Sequence, residues 1–311
     1  MKTLIKIFLL ATVSVNTMAQ SITPPIQTGR NVSFFVGAFP NTIPLFMSAP
    51  LATTMSAQSK DKKVVIILSA GDAGLGGEPG SPYPYWKARQ SGLENALIFY
   101  TGFQARGGGS GLYTAANVTI GGMTLERKDF GGWGDVILYT LKLPDVVGAA
   151  TQTLGLGALQ SGLIASMQPV TGTVAYSSTN VRDVLAGIVK LEAPSASKIV
   201  VHVTESDATL NPGDHPYMTA STKFFDSATA GATFACLNKF YYGTISNYGK
   251  PVNLPNLDLV AHADVLTHAG GVGAFSNGVT EGHRGNEWGN LGYVGKSYIT
   301  RSVASFGACT F

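Results

Sequence analysis

Lys63 to Ala70 reads KVVIILSA, a continuous Val/Ile/Leu run. A strand with that pattern has both faces covered, and such strands belong to parallel sheets packed between helices. Two other segments share its character: Asn31 to Phe39 (NVSFFVGAF) and Lys198 to Thr204 (KIVVHVT). Helical patterns alternate with them. Pro44 to Gln58 places Leu45, Met47, Leu51 and Met55 on apolar faces. Further helices are expected over Tyr85 to Tyr100, over Thr179 to Leu191 with Thr179 or Asn180 as cap, over Pro216 to Ala230 and over Leu257 to Leu266. A glycine- and proline-rich loop runs from Gly71 to Pro84. Ala116 to Leu143 alternates more (TIGGMTLERKDF, DVILYTLKL), which predicts antiparallel or edge strands, and another strand is expected near Ala232 to Tyr242. Strands alternating with helices predict an α/β fold, a mostly parallel sheet with helices on both faces and antiparallel edge strands. No internal repeat or linker divides the chain, so residues 20–311 read as one domain.

Composition narrows the class. Only 13% of residues are charged, against roughly 25% in ordinary soluble domains, and 38 of the 311 are glycine, well above the usual ~7%. A hydrophobic fraction of 45% excludes intrinsic disorder, and 15 prolines without a G-X-Y period exclude collagen. A net charge of +3 with no basic tract excludes phosphate tracking along nucleic acid.

The first 19 residues read as a secretory signal peptide. Lys2 and Lys6 precede an apolar run from Ile7 to Val15, and Thr17 and Ala19 sit at the −3 and −1 positions before Gln20. The run is far shorter than the ~20 residues needed to span a bilayer, so no membrane span is expected. Cleavage lowers the 21 basic residues to 19 against 18 acidic ones, leaving an exported chain of net charge +1, secreted, periplasmic or extracellular. Outside the cytosol, Cys236 and Cys309 are expected to form one disulfide, two separate buried thiols being the alternative.

The turn SAGDAG (Ser69–Gly74), followed by YWKARQSG (Tyr85–Gly92), resembles the second motif region of the PIG-L/LmbE-like deacetylases. The resemblance continues through LKLPD (Leu141–Asp145), LQSGLIASMQPV (Leu159–Val170), VRDVLAGIVKLEAP, IVVHVTESDA and GDHPYMTAS, to about Gly231, and more loosely beyond. It implies a Rossmann-like sheet holding zinc at its carboxyl end and removing acetyl groups from N-acetylated sugars. In that family the His and second Asp of an H-P-D-D motif, with a later His, hold the metal, and the first Asp is the base for the attacking water.

Here the motif reads Phe39-Pro40-Asn41-Thr42. Phenylalanine cannot coordinate a metal, an asparagine amide cannot act as a carboxylate base, and a threonine hydroxyl is a poor zinc ligand. Downstream, the family's D-H-x-D-H reads Asp214-His215-Pro216-Tyr217-Met218, with Met218 on the metal His and Tyr217 on the Asp. A shifted register would keep His215 as one ligand. Gln90 replaces a Glu of the helix motif. The degenerate site therefore comprises Phe39, Asn41, Thr42, Asp72, Arg89, Asp214, His215 and Met218, with Asp72 and Arg89 as a structural ion pair beneath it.

The expected function is that of a pseudoenzyme with no metal, acting either in carbohydrate binding or as an extracellular structural or self-assembling protein. A glycan ligand would lie on Tyr85, Trp86 and Trp288, with Tyr83, Arg89 and His215 beside them, because aromatic faces pack on sugar rings. Self-assembly would draw on low charge, which removes self-repulsion. The competing expectation is an active zinc-dependent deacetylase rewired around Asp72, Asp214, His215 and Glu205 or Asp207. His202, inside an apolar strand, reads as a core histidine. His262 and His268 fall on opposite helix faces. His283 and Arg284 lie in a glycine-rich stretch.

Overall fold

The computed structural model describes residues 31–55, 61–72, 84–101, 113–130, 136–146, 150–193, 198–256, 258, 263 and 290–305. In chain order its elements are β1 (Val32–Gly37), α1 (Thr42–Phe46), α2 (Ser48–Met55), β2 (Lys62–Ser69), α3 (Tyr85–Tyr100), β3 (Thr114–Ile120), β4 (Met123–Asp129), β5 (Val136–Leu143), α4 (Ala150–Thr153), α5 (Leu156–Ser161), β6 (Ser166–Met167), β7 (Tyr176–Ser177), α6 (Ser178–Glu192), β8 (Lys198–Thr204), α7 (Pro216–Thr229), β9 (Cys236–Tyr242) and β10 (Ile299–Ser305). Short 3₁₀ turns lie at Ile245–Asn247 and Asn290–Tyr293.

Eight of the strands form one sheet in the order β10-β9-β8-β1-β2-β5-β4-β3, and β6 and β7 form a separate small ladder. The five inner strands from β9 to β5 run parallel; β10, β4 and β3 attach antiparallel at the two sides. All of β1 and all but the first residue of β2 are buried, as their unbroken apolar runs predict. α7 lies against β1 and β8, with Phe225 packed 5.9 Å from Phe34. From β1 the chain winds outward through β2 to β5, then returns to β8 on the other side of β1. The winding reverses between β1 and β8, and beyond the carboxyl ends of such strands a doubly wound sheet leaves its crevice.

Several expected boundaries shift for identifiable reasons. The helix expected over 44–58 is two helices, broken at Met47. Pro50 explains the break: in a continuous helix its ring would meet the Phe46 carbonyl. That freed carbonyl accepts instead from the Ser297 hydroxyl at 3.0 Å. The cap of α6 is Ser177, two or three residues earlier than expected; its Oγ accepts the Asn180 N–H at 3.1 Å, and Asn180 Oδ1 accepts the Ser177 N–H at 3.0 Å. Ser177→Ala is expected to cost about 1 kcal/mol in urea denaturation, through loss of this cap. Of the stretch expected to be antiparallel, β5 is also a central strand, parallel to β2 and antiparallel to β4. The helix expected over 257–266 lies almost wholly outside the described residues.

Candidate functional site

Beyond the carboxyl ends of β1, β2 and β5, three chain exits meet the start of α7. Phe39 leaves β1 and turns into α1. Its N–H donates to the Thr42 hydroxyl at 3.0 Å, and the Thr42 N–H returns to the Phe39 carbonyl at 3.0 Å. Thr42 is completely buried, so the hydroxyl to which the resemblance would assign a ligand role serves the turn. The Phe39 ring stands edge-on to His215, centroids 5.2 Å apart, and stacks on Tyr217 at 5.5 Å. The Arg89 guanidinium lies 5.9 Å from the Phe39 ring centroid and 5.7 Å from that of Tyr85.

The exit of β2 is tied to the same cluster. Gly71 adopts a φ of +66°, and a Cβ there would lie 2.6 Å from an Arg89 nitrogen that itself donates to the Gly71 carbonyl at 2.6 Å. Only glycine fits both the left-handed backbone and the approach. Asp72 accepts the Asp145 N–H at 2.5 Å. Burial pushes the Asp72 carboxyl above its usual range; the hydrogen bond from the Asp145 backbone and the charge of Arg89 oppose this only in part. Arg89 thus spends a hydrogen bond on the Gly71 carbonyl and reaches Asp72 as a nearby charge. The loop after β5 is gripped from the other side, where the Tyr217 hydroxyl donates to the Pro144 carbonyl at 3.0 Å and accepts the Val146 N–H at 3.2 Å.

His215 caps α7, its Nδ1 accepting the Tyr217 N–H at 3.3 Å. Burial holds its pKa below the ordinary histidine value. Asp214 Oδ1 accepts the Thr244 hydroxyl at 2.5 Å and the His215 N–H at 2.8 Å, while Oδ2 is buried without a hydrogen bond. Burial raises the Asp214 pKa to about 6. Met218 is packed inside α7 in the core. Asn41 precedes α1 without capping it, its Oδ1 buried and unbonded. Thr244 had no sequence signal: it stands thirty residues from Asp214 and becomes its partner only because β8 and β9 are neighbours.

The other candidates separate. Glu205 is fully occupied: Arg301 donates to both its oxygens, at 2.8 and 3.0 Å, and Thr300 to one at 2.9 Å. Asp207 lies at the surface, holding Thr209. Gln90 donates to Glu94 at 2.7 Å, which also takes Lys128 at 2.6 Å, so it serves an internal tie between α3 and β4. Trp86 is half-buried, with the Lys142 ammonium 5.4 Å from its ring centroid. Cys236 is disulfide-bonded; Cys309, like Tyr83, Trp288, His262, His268, His283 and Arg284, lies outside the described residues.

The zinc that the resemblance implies does not fit the donors present. At the three ligand positions stand a benzene ring, a hydroxyl already engaged by backbone and a buried thioether, leaving His215 as a lone imidazole. Among the described residues no group of three or more His, Cys, Asp or Glu side chains could hold a metal ion. What the cluster does is pack: four rings and a guanidinium lock the exits of β1, β2 and β5 onto the N-terminus of α7. No protein-family model matches the chain, and no curated protein matches it.

His202 is the core histidine that its apolar strand predicts. Its ring is stacked on Phe35 at 4.4 Å and on Phe240 at 5.6 Å, and Nδ1 lies 2.9 Å from the Tyr242 hydroxyl. Complete burial lowers its pKa from 6.5 to about 3. A depressed folded-state pKa gives stability that is full above pH 6.5 and lost as pH falls toward 3, because only the unfolded chain takes the proton readily. At 1.36 kcal/mol per pH unit, roughly 2–3 kcal/mol should be lost by pH 4.5. In the double variant His202→Phe/Tyr242→Phe that part of the acid slope should be missing from pH-dependent urea denaturation.

Proposed function

We propose that this protein is a Rossmann-like, PIG-L/LmbE-like chain that has given up metal-dependent deacetylation and serves outside the cell as a structural, self-associating protein. The observation that carries the reading is Phe39. Its ring occupies the place of the family's first metal ligand and is wedged between His215 and Tyr217, so the catalytic crevice has become packed interior. The low charge of the chain and its export signal favour an extracellular structural role over a cytosolic one.

Glycan binding is the weaker reading because a sugar ring needs an open aromatic face. Tyr85 is 5% exposed, and the half-buried Trp86 has the Lys142 ammonium 5.4 Å from its ring centroid. Purified protein supplied with zinc and N-acetylglucosamine derivatives is expected to release no acetate above the rate without protein. Release proportional to protein concentration, abolished by Asp214→Asn, would restore the rewired deacetylase.

A further inference from the structure

We propose that a disulfide between Cys236 and Cys309 latches the last strand of the sheet, so that a dithiol reductant frees β10 while the parallel core stays folded. The latch stands apart from the structural role proposed above, because it draws on the C-terminal strand and not on the crevice.

Cys236 opens β9 and is disulfide-bonded. The chain contains two cysteines, so the sulfur it meets is that of Cys309. At 6% exposure, Cys236 is too covered for the cysteine of another molecule to approach. The ladder brings the two ends of the bond together. β10 runs antiparallel to β9 and ends with Ser305 opposite Leu237, the residue after Cys236. Cys309 follows Ser305 by four residues, a stretch that spans up to roughly 14 Å. One step along β9 and one across the ladder lie within that reach, and bridged cysteines hold their Cα atoms about 5.5–6 Å apart.

Burial shows why this strand needs a latch. Four residues of β10 are exposed and the other three half-buried, so little apolar surface holds it to the sheet. β9 by contrast buries Leu237, Tyr241 and Tyr242 and pairs in parallel with β8 along seven residues. Side-chain ties gather at the start of β10. Arg301 donates to both oxygens of Glu205, at 2.8 and 3.0 Å, with its guanidinium 3.5 Å from the Tyr241 ring centroid. Thr300 donates to Glu205 at 2.9 Å, and just ahead Ser297 donates to the Phe46 carbonyl at 3.0 Å. The disulfide fastens the opposite end. With both ends held β10 cannot peel away; with the bond broken it opens from Ser305 back toward Arg301.

Reduction is a two-electron exchange. A thiolate of the dithiol attacks one sulfur of the bond, and the other cysteine leaves as a thiolate and takes a proton. The second sulfur of the dithiol then closes its own disulfide and releases the remaining cysteine as a thiol. A reducing compartment therefore leaves β10 loose, and an oxidising one closes it.

Amide hydrogen exchange on the full chain, read by mass spectrometry before and after dithiothreitol, tests the latch, with thiol alkylation to confirm reduction. Peptides covering residues 299–305 are expected to exchange at least about 30-fold faster once reduced, the low end of what a disulfide contributes. Those covering β1, β2 and β8 should keep their protection. Cys309→Ser should reproduce the reduced pattern without reductant, and non-reducing peptide mapping of the oxidised monomer should recover Cys236 joined to Cys309. Unchanged exchange in β10 after reduction, loss of core protection in the reduced or the variant chain, or a disulfide-linked dimer would overturn the proposal. None of these outcomes touches the metal-free reading, which zinc and acetate measurements decide separately.

Discussion

Glu192→Ala is expected to lower the unfolding free energy by about 3–5 kcal/mol, the usual cost of removing one partner from a buried ionic group. Glu192 ends α6 with its carboxylate fully buried. One oxygen accepts from Arg127 Nε at 3.0 Å and from the Tyr139 hydroxyl, and the Lys62 ammonium sits on the other. Arg127 lies on β4, Tyr139 on β5 and Lys62 at the start of β2, so one side chain joins α6 to three strands. Burial alone would raise the Glu192 pKa, but the charges of Lys62 and Arg127 outweigh it and leave it below the usual value. The alanine variant leaves the buried Arg127 with only Asp129, at 3.5 Å, as a carboxylate partner, and strips the half-buried Lys62 of the Glu192 carboxylate. A depressed carboxylate pKa contributes stability that is full above pH 4.5 and lost as pH falls through the folded value, so the deficit of the variant should shrink in acid. Urea denaturation at pH 7 and pH 4 measures both effects.

Phe39→Ala is expected to cost about 3–4 kcal/mol, since truncating a buried aromatic removes its transfer energy and leaves a cavity. The ring is 7% exposed and touches His215, Tyr217 and Arg89. An enzyme pocket kept open for substrate would lose little on such a change, because active-site residues are held there at the expense of packing. A large loss of stability is therefore what a rebuilt, closed site predicts. Phe39→His separates the two further. It places an imidazole where the resemblance would put a metal ligand, yet with Thr42 bound to backbone and Met218 buried it should still lose stability, and added zinc should not recover it in a thermal melt.

The central strands were legible in the sequence because KVVIILSA and KIVVHVT leave few alternatives to burial on both faces. The segments forming the site were legible too: Phe39, Asp72, Arg89, His215 and Tyr217 do converge at the carboxyl end of the sheet. Their contacts were not. That the Thr42 hydroxyl is taken by the Phe39 N–H, or that Asp214 is held by Thr244, depends on backbone turns and on which strands are neighbours, and no local pattern records either. β10 was missed altogether, since ITRSVAS has the composition of an exposed segment and becomes a strand only by pairing with β9. The break at Met47 could have been read from Pro50. The cap at Ser177 was obscured by four consecutive residues capable of capping, Ser177, Ser178, Thr179 and Asn180.

Zinc content tests most directly whether the carboxyl end of the sheet is packed interior or holds a metal site. Protein purified without chelators and dialysed against micromolar zinc should carry well under one zinc per chain by elemental analysis, with no saturable heat in calorimetric zinc titration. One tightly held zinc per chain, lost on His215→Ala in a protein that still folds, would contradict the account.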